Sequence, residues 1–326
     1  MLTDPTLTYP EAIIIGLLQG VTELFPVSSL GHSVLIPVLI GGRWARDLSL
    51  TADKSPYLAF LVAVHVATAV ALVVFFRHDW IRIIRGLVTS VRDRRIETVD
   101  QKLAWLLIVA TIPVGLAGLA LEHAIRTSLG KPLPTSLFLI LNGVLLATVE
   151  RLRQRSAPVA AGPAPVPVAS PQSRPGQVYA SSSLAAADPH VGDLASDQRL
   201  AAQSWKQGLL IGAAQILALL PGISRSGATM GAGLLRGLSH EDAARFAFLL
   251  ATPVILAAGV LKLPELAGPA GRAVLGPVLA GSFVAGLAAY ASLRFLTRYF
   301  ETRTLNPFAV YCVVAGLVAF AWTLVH

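Results

Sequence analysis

Hydrophobic residues along this chain fall into long runs divided by short polar gaps, and the runs form two similar sets. In the first, residues about 57–76, 103–121 and 135–150 are almost uniformly apolar. Runs of roughly 20 apolar residues match the helix length needed to cross hydrocarbon, so each predicts a spanning helix. Ahead of them, residues about 9–42 are apolar but broken at Pro26, Gly31 and Pro37, with Gln19, Glu23 and His32 embedded. The second set repeats the plan. A broken segment at about 207–236, interrupted by Pro221 and Gly222, precedes apolar runs at about 244–263, 273–296 and 306–325.

Between the sets, residues 152–205 carry Pro158, Pro163, Pro165, Pro167, Pro171, Pro175 and Pro189 among Ala, Ser and Gly. Such a segment buries too little apolar surface to offset its ordering entropy, which predicts a disordered linker. The domain plan is therefore a first membrane repeat over 1–151, a cytoplasmic linker over 152–205 and a second membrane repeat over 206–326.

The halves also match in detail. Gln19 precedes Pro26-Val27-Ser28-Ser29-Leu30-Gly31, and Gln215 precedes Pro221-Gly222-Ile223-Ser224-Arg225-Ser226-Gly227. Placing Ser28 on Ser224 also places Gly31 on Gly227. Three spans lie between the broken segments, and an odd number turns the second half upside down. The expected fold is all-α and polytopic: six spanning helices plus two re-entrant helix pairs in an inverted-topology repeat.

Composition supports lipid as the main solvent. Of 326 residues, 54% are hydrophobic and 13% charged, against about 25% charged in soluble domains; mean hydropathy is +0.66. The formal charge of +8 raises nucleic acid as a partner, but the basic residues crowd the gaps between apolar runs. Arg77, Arg82, Arg85, Arg92, Arg94, Arg95 and Lys102 fill one, and Arg151, Arg153 and Arg155 another. That distribution fits cytoplasmic loops beside anionic headgroups, not nucleic-acid binding. It places 77–102, the linker and the stretch around Arg294, Arg298 and Arg303 inside, and 43–56 with both chain ends outside. The sole cysteine, Cys312, reads as a small buried hydrophobe, and no basic region precedes the first apolar stretch as in a signal peptide.

Polar groups inside apolar segments are costly and mark function by default. Gln19 and Glu23, four apart, share one helix face; Pro26 ends that helix, and Ser28 and Ser29 are natural caps for the next. A helix N-terminus within the membrane presents free N–H groups and a positive dipole end to phosphate. Pro221 to Thr229 builds the same feature and adds Arg225, a planar fork for phosphate oxygens, beside the hydroxyls of Ser224, Ser226 and Thr229. Ser28 reads equally well as a cap alone. His65, mid-span, has a purely structural alternative. Glu241 and Asp242 read as dipole-complementing residues at the start of a helix at 243.

Gln19-Gly20-Val21-Thr22-Glu23-Leu24-Phe25-Pro26-Val27-Ser28-Ser29-Leu30-Gly31-His32 and Pro221 through Thr229 together resemble the two motifs of bacterial undecaprenyl-diphosphate phosphatases of the bacitracin-resistance type. The resemblance covers the chain outside 152–205. It implies hydrolysis of undecaprenyl diphosphate to the monophosphate, recycling the lipid carrier of cell-wall synthesis. It further implies a bacterial plasma-membrane location, a site open to the extracytoplasmic side, a divalent cation (Mg2+ or Ca2+) and a homodimer. The functional residues it implies are Gln19, Glu23, Ser29, His32, Ser224, Arg225 and Thr229. Two departures stand out: Gln19 replaces a frequent glutamate, and His65 stands where glutamine is expected.

The expected chemistry is metal-assisted phosphoanhydride hydrolysis. Arg225 and the two helix N-termini, with Ser28, Ser224, Ser226 and Thr229, hold the diphosphate. Glu23, with Gln19, binds the cation. Ser29 is the nucleophile with His32 as its base, or His32 attacks or activates water directly. The rival function is a transporter or flippase for an anionic prenyl-phosphate lipid, since broken helices in inverted repeats are common in transporters.

Overall fold

The computed structural model describes residues 7–48, 56–124, 128–156, 189–267 and 274–325, and among these the secondary structure is entirely helical. Six helices are long and apolar enough to cross a membrane: α4 (Pro56–Phe75), α6 (Val99–Ala124), α7 (Pro132–Ser156), α11 (His240–Ala267), α12 (Leu275–Thr302) and α13 (Asn306–Val325). They coincide with the six runs read from the sequence. Large apolar side chains stand exposed along them, among them Leu116, Leu119, Val260, Phe283 and Val310. A soluble monomer rarely exposes so continuous an apolar surface, whereas lipid-facing helices must.

Neither broken segment forms a span. The first gives α1 (Tyr9–Thr22) and α2 (Ser29–Ile40), with the short α3 (Gly42–Asp47) after it. The second gives α9 (Trp205–Ala213), a 3₁₀ turn (Ala214–Leu219) and α10 (Arg225–Leu235). At 1.5 Å per residue, the 14 residues of α1 reach about 21 Å, short of a hydrocarbon core of about 30 Å.

Both pairs are packed through glycine. A methyl at Gly16 would collide with the Gly281 carbonyl of α12, and one at Gly212 with the Ala110 carbonyl of α6. Small residues let backbones approach closely where no hydrophobic effect drives helices together.

Two regions depart from expectation. Residues 77–102, read as a basic connection, contain helix α5 (Arg77–Asp93). Ile81, Ile84, Val88 and Val91 line one exposed side of it, while Asp79, Ile83, Gly86 and Ser90 are buried. Reading the arginines alone hid this helical period.

Both described ends of the linker expected over 152–205 are helical. α7 runs through Ser156, and α8 (Pro189–Ala201) is held by charge. Asp197 is wholly buried; it accepts from Arg245 Nε at 3.0 Å and from Arg82 at 2.6 Å. Arg245 also meets Asp193 at 2.7 Å and Asp79 at 2.9 Å. Asp242 accepts from Ser196 at 2.5 Å and from Arg199 at 2.7 Å. Asp242 therefore anchors α8 as well as standing in the first turn of α11, which begins at His240 and not at 243. Residues 157–188 of the expected linker lie outside the described residues.

Candidate active site

The first pair breaks after α1 because Pro26 has no N–H with which to continue the helix. Ser28 then takes φ 70°, a left-handed conformation that non-glycine residues seldom adopt. Its side chain repays the strain twice: Oγ accepts the Gly31 N–H of α2 and the Gly222 N–H of the second pair, both at 3.2 Å. The second break is capped more simply. Ser224 has φ −83° and accepts from Gly227 N at 3.1 Å.

Asn142, fully buried in α7, joins the two breaks. Its Nδ2 donates to the Pro26 carbonyl and its Oδ1 accepts from Ser224 N, each at 3.0 Å. The two breaks thus meet.

Glu23, only 7% exposed, is where side chains from both halves converge. Arg225 donates to its Oε1 at 2.6 Å. Gln19 Nε2 and Ser29 Oγ donate to its Oε2 at 2.9 and 2.5 Å. His65 Nε2 lies 3.4 Å from the same oxygen, with Nδ1 bonded to the Leu61 carbonyl at 2.7 Å. One carboxylate therefore contacts a guanidinium, an amide, a hydroxyl and an imidazole. Arg225 is 14% exposed at its side chain, so it is held at this cluster and does not extend to headgroups.

The remaining expected residues support this cluster from behind. Ser226 Oγ lies 3.0 Å from Ser224 Oγ and donates to the Phe25 carbonyl at 3.4 Å. Thr229 Oγ1 donates to the Arg225 carbonyl at 2.8 Å.

His32 is not paired with Ser29. Its Nδ1 lies 2.7 Å from the Ser28 carbonyl and its Nε2 2.7 Å from Tyr311 Oη. The Ser29 hydroxyl, expected beside His32, is hydrogen-bonded instead to Glu23. Both residues lie in α2, three apart, and their partners separate them: Ser29 Oγ is taken by Glu23 across the break, whereas the His32 nitrogens are taken by the Ser28 carbonyl and by Tyr311 of α13.

Asn142 and Tyr311 escaped the sequence reading. Asn142 is a polar residue within an apolar run, so the signal that singled out Gln19 was present. Tyr311 gave none, because an amphipathic ring is ordinary in a spanning helix.

As a metal site the cluster offers oxygen. Gln19 Oε1 is buried without a hydrogen-bond partner, next to the carboxylate of Glu23. One amide and one carboxylate oxygen suit a hard cation that completes its shell with water and phosphate. Among the described residues, no group of three or more His, Cys, Asp or Glu side chains forms a protein-only metal cage.

Comparison with known proteins agrees with the motifs. The family profile described as "Bacitracin resistance protein BacA" matches residues 12–318. A protein of Mycolicibacterium paratuberculosis named undecaprenyl-diphosphatase is 61% identical, covering 97% of each chain. Undecaprenyl-diphosphatase 1 of Frankia casuarinae is 54% identical over 95% of this chain and 96% of its own. The undecaprenyl-diphosphatase of Gluconacetobacter diazotrophicus is 43% identical over 97% of each. Six apolar spans, two capped breaks meeting at one carboxylate and this breadth of similarity place the chain in the BacA, or undecaprenyl-diphosphatase, family.

Proposed function

We propose that this chain hydrolyses undecaprenyl diphosphate to undecaprenyl phosphate and inorganic phosphate in a bacterial plasma membrane. The observation that carries the reading is Glu23 held between Arg225 at 2.6 Å and Ser29 at 2.5 Å. A transported anion needs donors and cations, but it has no use for a hydroxyl hydrogen-bonded to a carboxylate base.

Ser29 Oγ is the nucleophile. Its proton passes to Glu23 as the oxygen attacks the terminal phosphorus, and the bond to the bridging oxygen breaks to release the lipid monophosphate. The departing lipid monophosphate takes that proton from Glu23. Water then attacks the phosphoserine phosphorus, losing a proton to the restored Glu23 carboxylate, which passes it to Ser29 Oγ as the P–O bond breaks. Arg225 exchanges part of its contact with Glu23 for the phosphate, balancing charge that grows on the phosphoryl oxygens. The cation, Mg2+ or Ca2+, would be held by Gln19 Oε1 and Glu23, and would supply further charge neutralisation when bound.

We also infer that α1–α2 and α9–α10 are re-entrant pairs in an inverted repeat. α1 runs alongside α12 in the same direction, Gly16 meeting Gly281 and Gly20 meeting Ala285. α9 runs alongside α6 likewise, Gly208 meeting Leu106 and Gly212 meeting Ala110. If successive spans alternate, α6 and α12 cross in opposite senses, so the two pairs enter from opposite faces. With the arginines of α5 on the cytoplasmic side, α2 leads outward, and the site opens to the extracytoplasmic face. The family's homodimer belongs to this proposal and is checked by mass in detergent.

The test is phosphate release from farnesyl diphosphate by the purified protein with Mg2+ or Ca2+. Release that depends on Glu23 and Arg225 supports the phosphatase. No release with either metal favours lipid transport.

A further inference from the structure

His32 is buried, and both its ring nitrogens are committed. The Ser28 carbonyl can only accept, so Nδ1, at 2.7 Å, carries the ring proton. In the neutral ring Nε2 then holds the lone pair. Its partner at 2.7 Å is the Tyr311 hydroxyl, which donates to it. The two rings lie nearly parallel, 8° between planes, with centroids 5.7 Å apart. The next residue, Cys312, touches Asn142 Nδ2 at 3.2 Å, the side chain that holds the Pro26 carbonyl. α13 therefore braces the first break at two adjacent positions.

We propose that Tyr311 is the positioning residue of His32: its hydroxyl fixes the Nδ1–H tautomer and holds the imidazole against the Ser28–Ser29 turn. This rests on the phosphatase reading of the same site. Ser28 needs such support, because its φ of 70° is strained and its carbonyl already accepts the His32 backbone N–H at 3.3 Å. An imidazole free to turn would withdraw the second donor from that carbonyl and let Ser29 drift from Glu23. Without the hydroxyl, Nε2 is buried and unpaired, and the ring is free to change tautomer. Tyr311 is 46% exposed, so His32 meets its surroundings through this phenol.

Three full-length proteins distinguish the roles of ring and hydroxyl: wild type, Tyr311→Phe and Tyr311→Leu. Tyr311→Phe retains the stacking and removes only the donor. It is expected to lower kcat on farnesyl diphosphate about tenfold with KM within about twofold. In protein labelled with 15N-histidine, the His32 ring nitrogens should also lose the pure Nδ1–H signature. Tyr311→Leu, which removes the stacking as well, should fall at least as far.

A wild-type rate for Tyr311→Phe with an unchanged His32 signature overturns the proposal. So does a loss confined to KM, which would make the hydroxyl a substrate contact. If the wild type itself releases no phosphate, the phosphatase reading fails instead, and the ring-nitrogen signature still decides whether Tyr311 sets the tautomer.

Discussion

The two broken helix pairs share a frame and divide the chemistry. Each has a glutamine nine residues before a capping serine, Gln19 before Ser28 and Gln215 before Ser224, and each serine accepts from the N–H three residues on. Beyond that frame they diverge. Four residues after its glutamine, the first pair has Glu23 and the second Leu219. After the capping serine, the first has Ser29 and the second Arg225. Gln19 donates to a carboxylate, whereas Gln215, in the 3₁₀ turn, donates to the Gly212 carbonyl of α9 just before it at 3.3 Å. In the proposed mechanism the first pair carries the base and the nucleophile beside a strained turn. The second carries a cation on a relaxed one. One frame, used twice, serves opposite electrostatic ends, and neither copy needs both.

The contrast is sharpest at Glu23 and Leu219. Glu23→Leu makes the first pair resemble the second and should lower kcat/KM on farnesyl diphosphate at least about 1,000-fold. Leu219→Ala should change it by less than about threefold, since no reacting group stands there. A comparable loss at both positions would erase the division of roles. Next in size, Arg225→Lys keeps the charge but not the fork, and about tenfold to 100-fold should be lost. Retention of full rate would reduce Arg225 to a point charge.

Stability separates the two caps by less. Ser28→Ala strands N–H groups of both halves and should cost about 2 kcal/mol in unfolding by denaturant. Ser224→Ala strands one and should cost about 1 kcal/mol. The smallest effect belongs to Gln215→Leu, expected within about 1 kcal/mol of wild type, because Gln215 Oε1 is already buried without a partner.

Much of this molecule was legible from its sequence because lipid leaves few choices. A run of 20 apolar residues has one economical structure, and a glutamate within such a run demands a reason. Glu23 stood out on those grounds, Arg225 as a cation locked in a Ser/Gly loop and Ser29 as a cap that the family resemblance made functional, and the structure brings them together. The pairing of Ser29 with Glu23 in place of His32 was not legible. Spacing places Ser29 and His32 on one turn of α2, but the partners that claim them, Glu23 across the Pro26 break and Tyr311 in α13, cannot be read from that spacing. α8 was hidden for another reason: Asp193, Asp197 and Arg199 follow a Pro/Ala/Ser stretch, and their partners Arg82, Arg245 and Asp242 lie far away in the chain. Charges matched across such separations leave no local pattern.

The Ser28 hydroxyl takes one N–H from Gly31 and one from Gly222, residues of the two halves of the chain, on either side of positions 157–188 in the sequence. Neither half by itself holds a finished reaction centre, so the halves behave as obligate partners that happen to share a peptide chain. Severed within that stretch and co-expressed, the pieces should regain phosphatase activity only when both are present, as the subunits of a heterodimer would.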